Sequence, residues 1–206
     1  GYVFSIWGII YLGLIAYTIY QALPGQRDNG LLKKIAPAYW IGSLANSIWI
    51  FLWHYEVFAL TLVFMLAILA TLLYIYRQLS AASAGLKNNE KWFVRLPFSL
   101  YLGWISVAVI ANVSQVLFFY GWSGWGVSPA GWTAIMLVVA LALGLLMQWR
   151  EHDSVYVLVL VWAVVGIAVK HAGTVLVANF AWGAVGVLVL ALIAIPLLKR
   201  RSAITE

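Results

Sequence analysis

The chain of 206 residues is 65% hydrophobic and only 9% charged, with a mean hydropathy of +0.99. Soluble domains carry about 25% charged residues, so these values place the protein in a membrane and exclude a water-soluble fold. There is no cysteine, which removes disulfides, thiolate metal sites and cysteine nucleophiles together. The formal charge of +6 sits in short loops beside apolar spans, which argues against a nucleic-acid partner.

The first residues, "GYVFSIWGIIYLG", already lie in an apolar run, with neither an initiator Met nor a basic leader. A start of this kind leads us to expect sequence upstream of Gly1. Seven apolar spans follow in chain order: Tyr2–Leu23, Pro37–Trp53, Val57–Tyr76, Pro97–Tyr120, Trp132–Trp149, Val155–Val169 and Thr174–Leu198. The second and sixth fall short of the roughly 20 residues that cross the hydrocarbon of a bilayer. Continuous apolar runs without alternation predict helices rather than a barrel, hence an all-α, polytopic transmembrane helical bundle.

Counting cations by loop gives an orientation. Arg27, Lys33 and Lys34, then Arg77, Lys87, Lys91 and Arg95, then Arg150, and finally Lys199, Arg200 and Arg201 fall on one side of alternating spans. Lys170 alone falls on the other. The positive-inside rule then puts Gly1 outside and the C-terminus in the cytoplasm of a cell (inner or plasma) membrane. The stretch "SAASAGLKNNEK" (Ser80–Lys91) reads as a polar cytoplasmic loop. "GWSGWGVSPAGW" (Gly121–Trp132) reads as an outer loop whose tryptophans sit at headgroup depth, part of an aromatic belt.

One signature recurs. Span 2 reads "LANSIW", span 4 "IANVSQ" and span 7 "VANFAW", each an aliphatic residue, Ala and Asn, then Trp or Gln three residues on. Positions i and i+3 share a helix face. With alternating directions, Asn46, Asn112 and Asn179 all fall about 8–12 Å below the outer boundary, at the depth of one polar tier. A carboxamide in hydrocarbon needs a partner, which can be another helix or a ligand, and the residues leave both open. Three stripes favour a pocket: Phe4, Trp7 and Tyr11 in span 1; Asn46, Trp49 and Trp53 in span 2; Tyr101, Trp104, Ala108, Asn112 and Gln115 in span 4. A wall of indoles with a few polar groups suits a flat, polarizable molecule such as a porphyrin or sterol.

These stripes resemble the TspO/translocator (tryptophan-rich sensory protein) family. "WGIIY" (Trp7–Tyr11) is similar to the family's W-x-x-x-Y, and "LANSIW" to its L-x-N-x-x-W element. "PFSLYLGWISVAVIANVSQ" (Pro97–Gln115), with Trp104 eight residues before Asn112, resembles the family's last helix. The resemblance implies that spans 1–4 match the last four of five TspO helices, with the first helix upstream of Gly1. It divides the chain into a TspO-like part, residues 1–120, and an additional three-helix part, residues 121–206. Val107 stands where the family usually carries Phe. What the resemblance implies for function is binding of a tetrapyrrole or sterol-like ligand for sensing or transport. Trp7, Tyr11, Asn46, Trp49, Trp53, Tyr101, Trp104, Asn112 and Gln115 would be the contacts.

Other chemistries find little support. Asp28, Glu56, Glu90, Glu151, Asp153 and Glu206 all lie in loops or the tail, so no span offers a carboxylate for proton coupling. His54, His152 and His171 flank turns without metal-ligand spacing, and no nucleophile–base constellation appears. We therefore expect a non-enzyme whose partners are the lipid bilayer and a hydrophobic small molecule. Its own assembly is expected to be a homodimer or a larger membrane complex, and the alternative function is a non-catalytic accessory subunit of a larger membrane complex, docking through spans 5–7.

Overall fold

A computed structural model describes residues 1–202, with side chains described as far as residue 198. The orientation count therefore rests partly on Lys199, Arg200 and Arg201, whose side chains lie outside the described set, as does Glu206. The described chain is all helical: α1 (Ile6–Ala22), α2 (Gly30–His54), α3 (Phe58–Ala81), α4 (Leu96–Phe119), α5 (Pro129–Glu151), α6 (Ser154–Lys170) and α7 (Val175–Ser202). Six helical segments are long and apolar enough to cross a membrane, and α6, at 17 residues, is a shorter apolar helix. This is a polytopic membrane bundle.

Two local rules shape the ends of these helices. α2 begins seven residues before the expected Pro37, because the Asn29 side chain accepts from the backbone N–H groups of Leu31 and Leu32 at 3.1 and 3.2 Å. α2 is therefore 25 residues long, not a short span, and Pro37 sits inside it with its ring exposed. The polar stretch before α4 is likewise not all loop. Lys87 N–H donates to Glu90 Oε2 at 2.8 Å, starting a helical turn (Asn88–Glu90) that runs on through a π-turn, Lys91–Arg95, into α4. Pro97 follows directly. It has no N–H to give, and the wider turn lets Leu96 N–H bond back to Lys91 instead. Glu90 is buried, its other oxygen accepting from Asn29 Nδ2 at 2.7 Å.

The chain forms two compact units, Phe4–Gly121 and a second made of Trp122–Glu206 with Gly1–Val3. In the first, α2 packs along α3 and α3 along α4. Gly42 makes the α2–α3 approach possible: a Cβ there would stand 2.7 Å from Thr71 Oγ1. α1 lies against α4, where Gly13 admits the ring of Pro97, with only 3.2 Å between a would-be Cβ and the Pro97 Cβ. α1 and α2 are joined differently. Their backbones stay apart, and long side chains bridge the space, including a 2.8 Å hydrogen bond between Thr18 Oγ1 and the Tyr39 hydroxyl.

In the second unit α5, α6 and α7 all touch one another. α6 is the most enclosed, with Tyr156, Val157, Val159, Leu160, Ala163, Val164 and Ala168 all buried. Asp153 caps it by accepting from Tyr156 N–H at 3.0 Å. Trp122 and Trp125 of the loop before α5 form an aromatic trio with Trp132 in the first turn of that helix, with ring centroids 5.0–6.2 Å apart. Trp132 Nε1 donates to the Gly124 carbonyl at 2.8 Å. Trp125 is left 79% exposed, as an interfacial indole would be.

Candidate functional site

The site grows from the space between α1 and α2. Trp7 and Tyr11, one turn apart on α1, stack at 5.3 Å with their planes 24° apart. Trp7 also meets Tyr101 and Trp104 of α4 edge-on, at 5.9 and 6.2 Å, and Phe4 closes on Trp104 at 5.9 Å. From α2, Asn46 Nδ2 donates to the Tyr11 hydroxyl across a long 3.4 Å. Trp49 follows Asn46 by three residues on the same face, stacked on Trp53 at 5.5 Å. A second aromatic layer continues toward the other end of the same helices: Tyr17 contacts Tyr39 at 4.9 Å and Phe98 at 4.8 Å.

Polar bookkeeping separates these residues. Buried hydroxyl, amide and indole groups are almost always hydrogen-bonded, so each exception needs a reason. Among the described residues, five buried side-chain atoms have no partner: Tyr17 Oη, Asn46 Oδ1, Trp49 Nε1, Tyr101 Oη and Trp104 Nε1. All five belong to the α1–α2–α4 region, and four are on residues singled out from the sequence. Asn46 is 8% exposed, and Tyr101 and Trp104 are 5% exposed, so water does not reach them from outside.

Asn112 behaves otherwise. It is buried against α3, where its Nδ2 donates to Thr61 Oγ1 at 2.9 Å. The single Thr61 hydroxyl hydrogen goes to the Phe58 carbonyl at 2.6 Å, so the hydroxyl is free to accept from Asn112. This is the interhelical bond that an intramembrane carboxamide is expected to make. Gln115, one turn further along α4, is half-buried and makes none of the aromatic contacts above. Trp53, 39% exposed, backs Trp49 and meets Phe58 edge-on at 5.4 Å. Asn179 is in the other unit, exposed, in an apolar groove with Leu137, Val138, Leu141, Phe180 and Gly183.

Two contributors escape the sequence reading. Thr61 is the partner of Asn112, signalled only by its being the lone hydroxyl in the first turns of an otherwise apolar α3. Tyr39 bridges α1 and α2, and only its aromatic character marks it. Among the described residues, no group of three or more His, Cys, Asp or Glu side chains could hold a metal ion. The arrangement can stack a planar molecule and offer it hydrogen-bond donors and one acceptor; it offers no acid, base or nucleophile at the aromatic site.

The sequence profile of the family described as TSPO-like protein matches residues 1–194, reaching into α7. No curated protein and no solved structure matches the chain.

Proposed function

Because the chain belongs to the family of TSPO-like proteins, we propose that this multi-pass membrane protein binds a flat hydrophobic ligand, tetrapyrrole or sterol-like, for sensing or transport. The site is the aromatic chamber between α1, α2 and α4, in the outer leaflet on the orientation given by the loop charges. Trp7, Tyr11, Trp49, Tyr101 and Trp104 stack and enclose the ligand, and Asn46 orients its polar edge. Trp53, Asn112 and Gln115 stand at the margin. The first four helices correspond in this reading to the last four of the TspO fold. The role is binding, not catalysis.

The observation that carries the reading is the cluster of unpartnered buried polar atoms on Asn46, Trp49, Tyr101 and Trp104. In a low-dielectric interior each such atom costs about 1–3 kcal/mol, a cost that a bound molecule with complementary polar groups removes. The experiment is titration of the purified protein with protoporphyrin while tryptophan fluorescence is followed. Saturable quenching is expected, weakened in Asn46→Leu without loss of helical circular dichroism. Quenching that never saturates, or identical curves for the two proteins, would sink the proposal.

A second reading rests on a different observation, the apolar groove between α5 and α7 with its exposed Asn179. A carboxamide turned to lipid invites a partner helix, which fits an accessory subunit of a larger membrane complex. Co-purification of a stoichiometric partner in mild detergent supports it, and a lone monomer that binds porphyrin counts against it.

A further inference from the structure

The unpartnered atoms also specify what kind of flat molecule fits. Trp49 Nε1 and Trp104 Nε1 can only donate, the Tyr101 hydroxyl can donate or accept, and Asn46 Oδ1 can only accept. Donors therefore outnumber fixed acceptors, and they stand on two helices that both reach the Trp7–Tyr11 stack, α4 through the edge-on contacts of Tyr101 and Trp104 with Trp7 and α2 through the bond from Asn46 to Tyr11. Tyr101 and Trp104 occupy one face of α4, a single turn apart, and Asn46 and Trp49 do the same on α2.

No full charge accompanies them. The nearest cation along α4 is Arg95, nine residues or about 13 Å before Trp104, with its guanidinium 5.9 Å over the Tyr76 ring of α3. On α2, Lys33 and Lys34 lie more than three turns before Asn46, and His54 lies two turns beyond it; all three are exposed. Moving an anion into such a site would leave its desolvation uncompensated. A neutral acceptor meets the donors at no such penalty.

Resting on the binding site proposed above, we infer that its ligand is an uncharged planar molecule. Its polar edge carries an oxygen or nitrogen acceptor for the α4 donors and an O–H or N–H for Asn46. Tyr101 and Trp104 are the specificity-determining residues. Acidic planar molecules, including tetrapyrroles with free carboxylates such as protoporphyrin, still stack saturably on the same rings but bind more weakly than their uncharged counterparts.

The test uses the full chain in phosphatidylcholine nanodiscs and three probes with one ring system: pyrene, 1-pyrenemethanol and 1-pyrenecarboxylate. Energy transfer from tryptophan is read as a function of probe in the bilayer, after partition into empty nanodiscs is measured. The alcohol should bind about threefold tighter than pyrene despite being less apolar, and at least about tenfold tighter than the carboxylate. Tyr101→Phe and Trp104→Phe should each erode the advantage of the alcohol over pyrene, read as the ratio of the two midpoints within each variant. A carboxylate as tight as the alcohol, or an alcohol advantage that survives both substitutions, overturns the inference. Saturable binding of all three in the order of their partition does so too, while leaving the site itself standing. If none of the probes saturates, the site falls and the inference with it.

Discussion

Asn46 and Asn112 carry the same local signature, sit in the same unit, and have come to different ends. Around Asn112 the α3–α4 seam is shut: Thr61 holds the carboxamide at 2.9 Å and is itself held by the Phe58 carbonyl. The neighbouring α2–α3 seam is equally tight, with no room for a single methyl group at Gly42. Around Asn46 the helices are held apart by rings, its bond to Tyr11 is stretched to 3.4 Å, and its oxygen has no partner. The difference teaches that a polar residue in a membrane helix declares its role through its partners, because the cost of leaving it unpaired is the same in both places.

If the shut seam is structural, the largest stability effect belongs to Gly42→Ala. The added Cβ would displace Thr71 Oγ1, which is tied to the Ile68 carbonyl at 2.8 Å. A loss of about 1–3 kcal/mol is expected, seen as a lower midpoint in thermal unfolding in detergent. Unchanged melting would mean that α2 and α3 are free to slide apart.

Next come Asn112→Leu and Thr61→Val. Each should cost about 1–2 kcal/mol, and the double variant should cost less than their sum by about 0.6–1.7 kcal/mol. Strict additivity would show that the 2.9 Å bond contributes nothing.

The smallest effect is at the turn between α2 and α3. Glu56 holds a left-handed conformation, φ +56°, while Val57 N–H bonds to Leu52 and Glu56 N–H to Trp53. Glycine adopts that conformation freely, so Glu56→Gly should raise stability by about 0.5–1 kcal/mol. Destabilisation would mean that the Glu56 side chain has a role of its own.

Much of this fold is legible in the sequence, for a simple reason. Apolar runs long enough to span a bilayer have one regular solution, so α3, α5 and α7 fall within a few residues of the runs that foretell them. The start of α2 and the turns that lead into α4 (Asn88–Glu90 and Lys91–Arg95) are not legible from hydropathy, since they are decided by single side-chain caps at Asn29 and Glu90 and by how the chain absorbs a proline.

The site divides in the same way. Helical spacing puts Asn46 with Trp49, and Tyr101 with Trp104, on common faces, and i to i+3 geometry guarantees as much. Spacing within a helix cannot reveal that α1 leans on α4 through Gly13 while long side chains bridge it to α2. Nor can it show that Thr61, fifty-one residues before Asn112, has already engaged that carboxamide. Pairing across helices is a long-range property, and one sequence carries no record of it.

The contrast between the two asparagines comes down to one comparison: protoporphyrin titrations of the parent, Asn46→Leu and Asn112→Leu, each with its own melting curve. Binding at Asn46 and bracing at Asn112 predict that Asn46→Leu weakens saturable quenching about tenfold at nearly unchanged stability, since the lost oxygen had no partner. Asn112→Leu should melt earlier yet keep the parent's affinity. The reverse pattern, or equal loss of binding in both, would contradict the account.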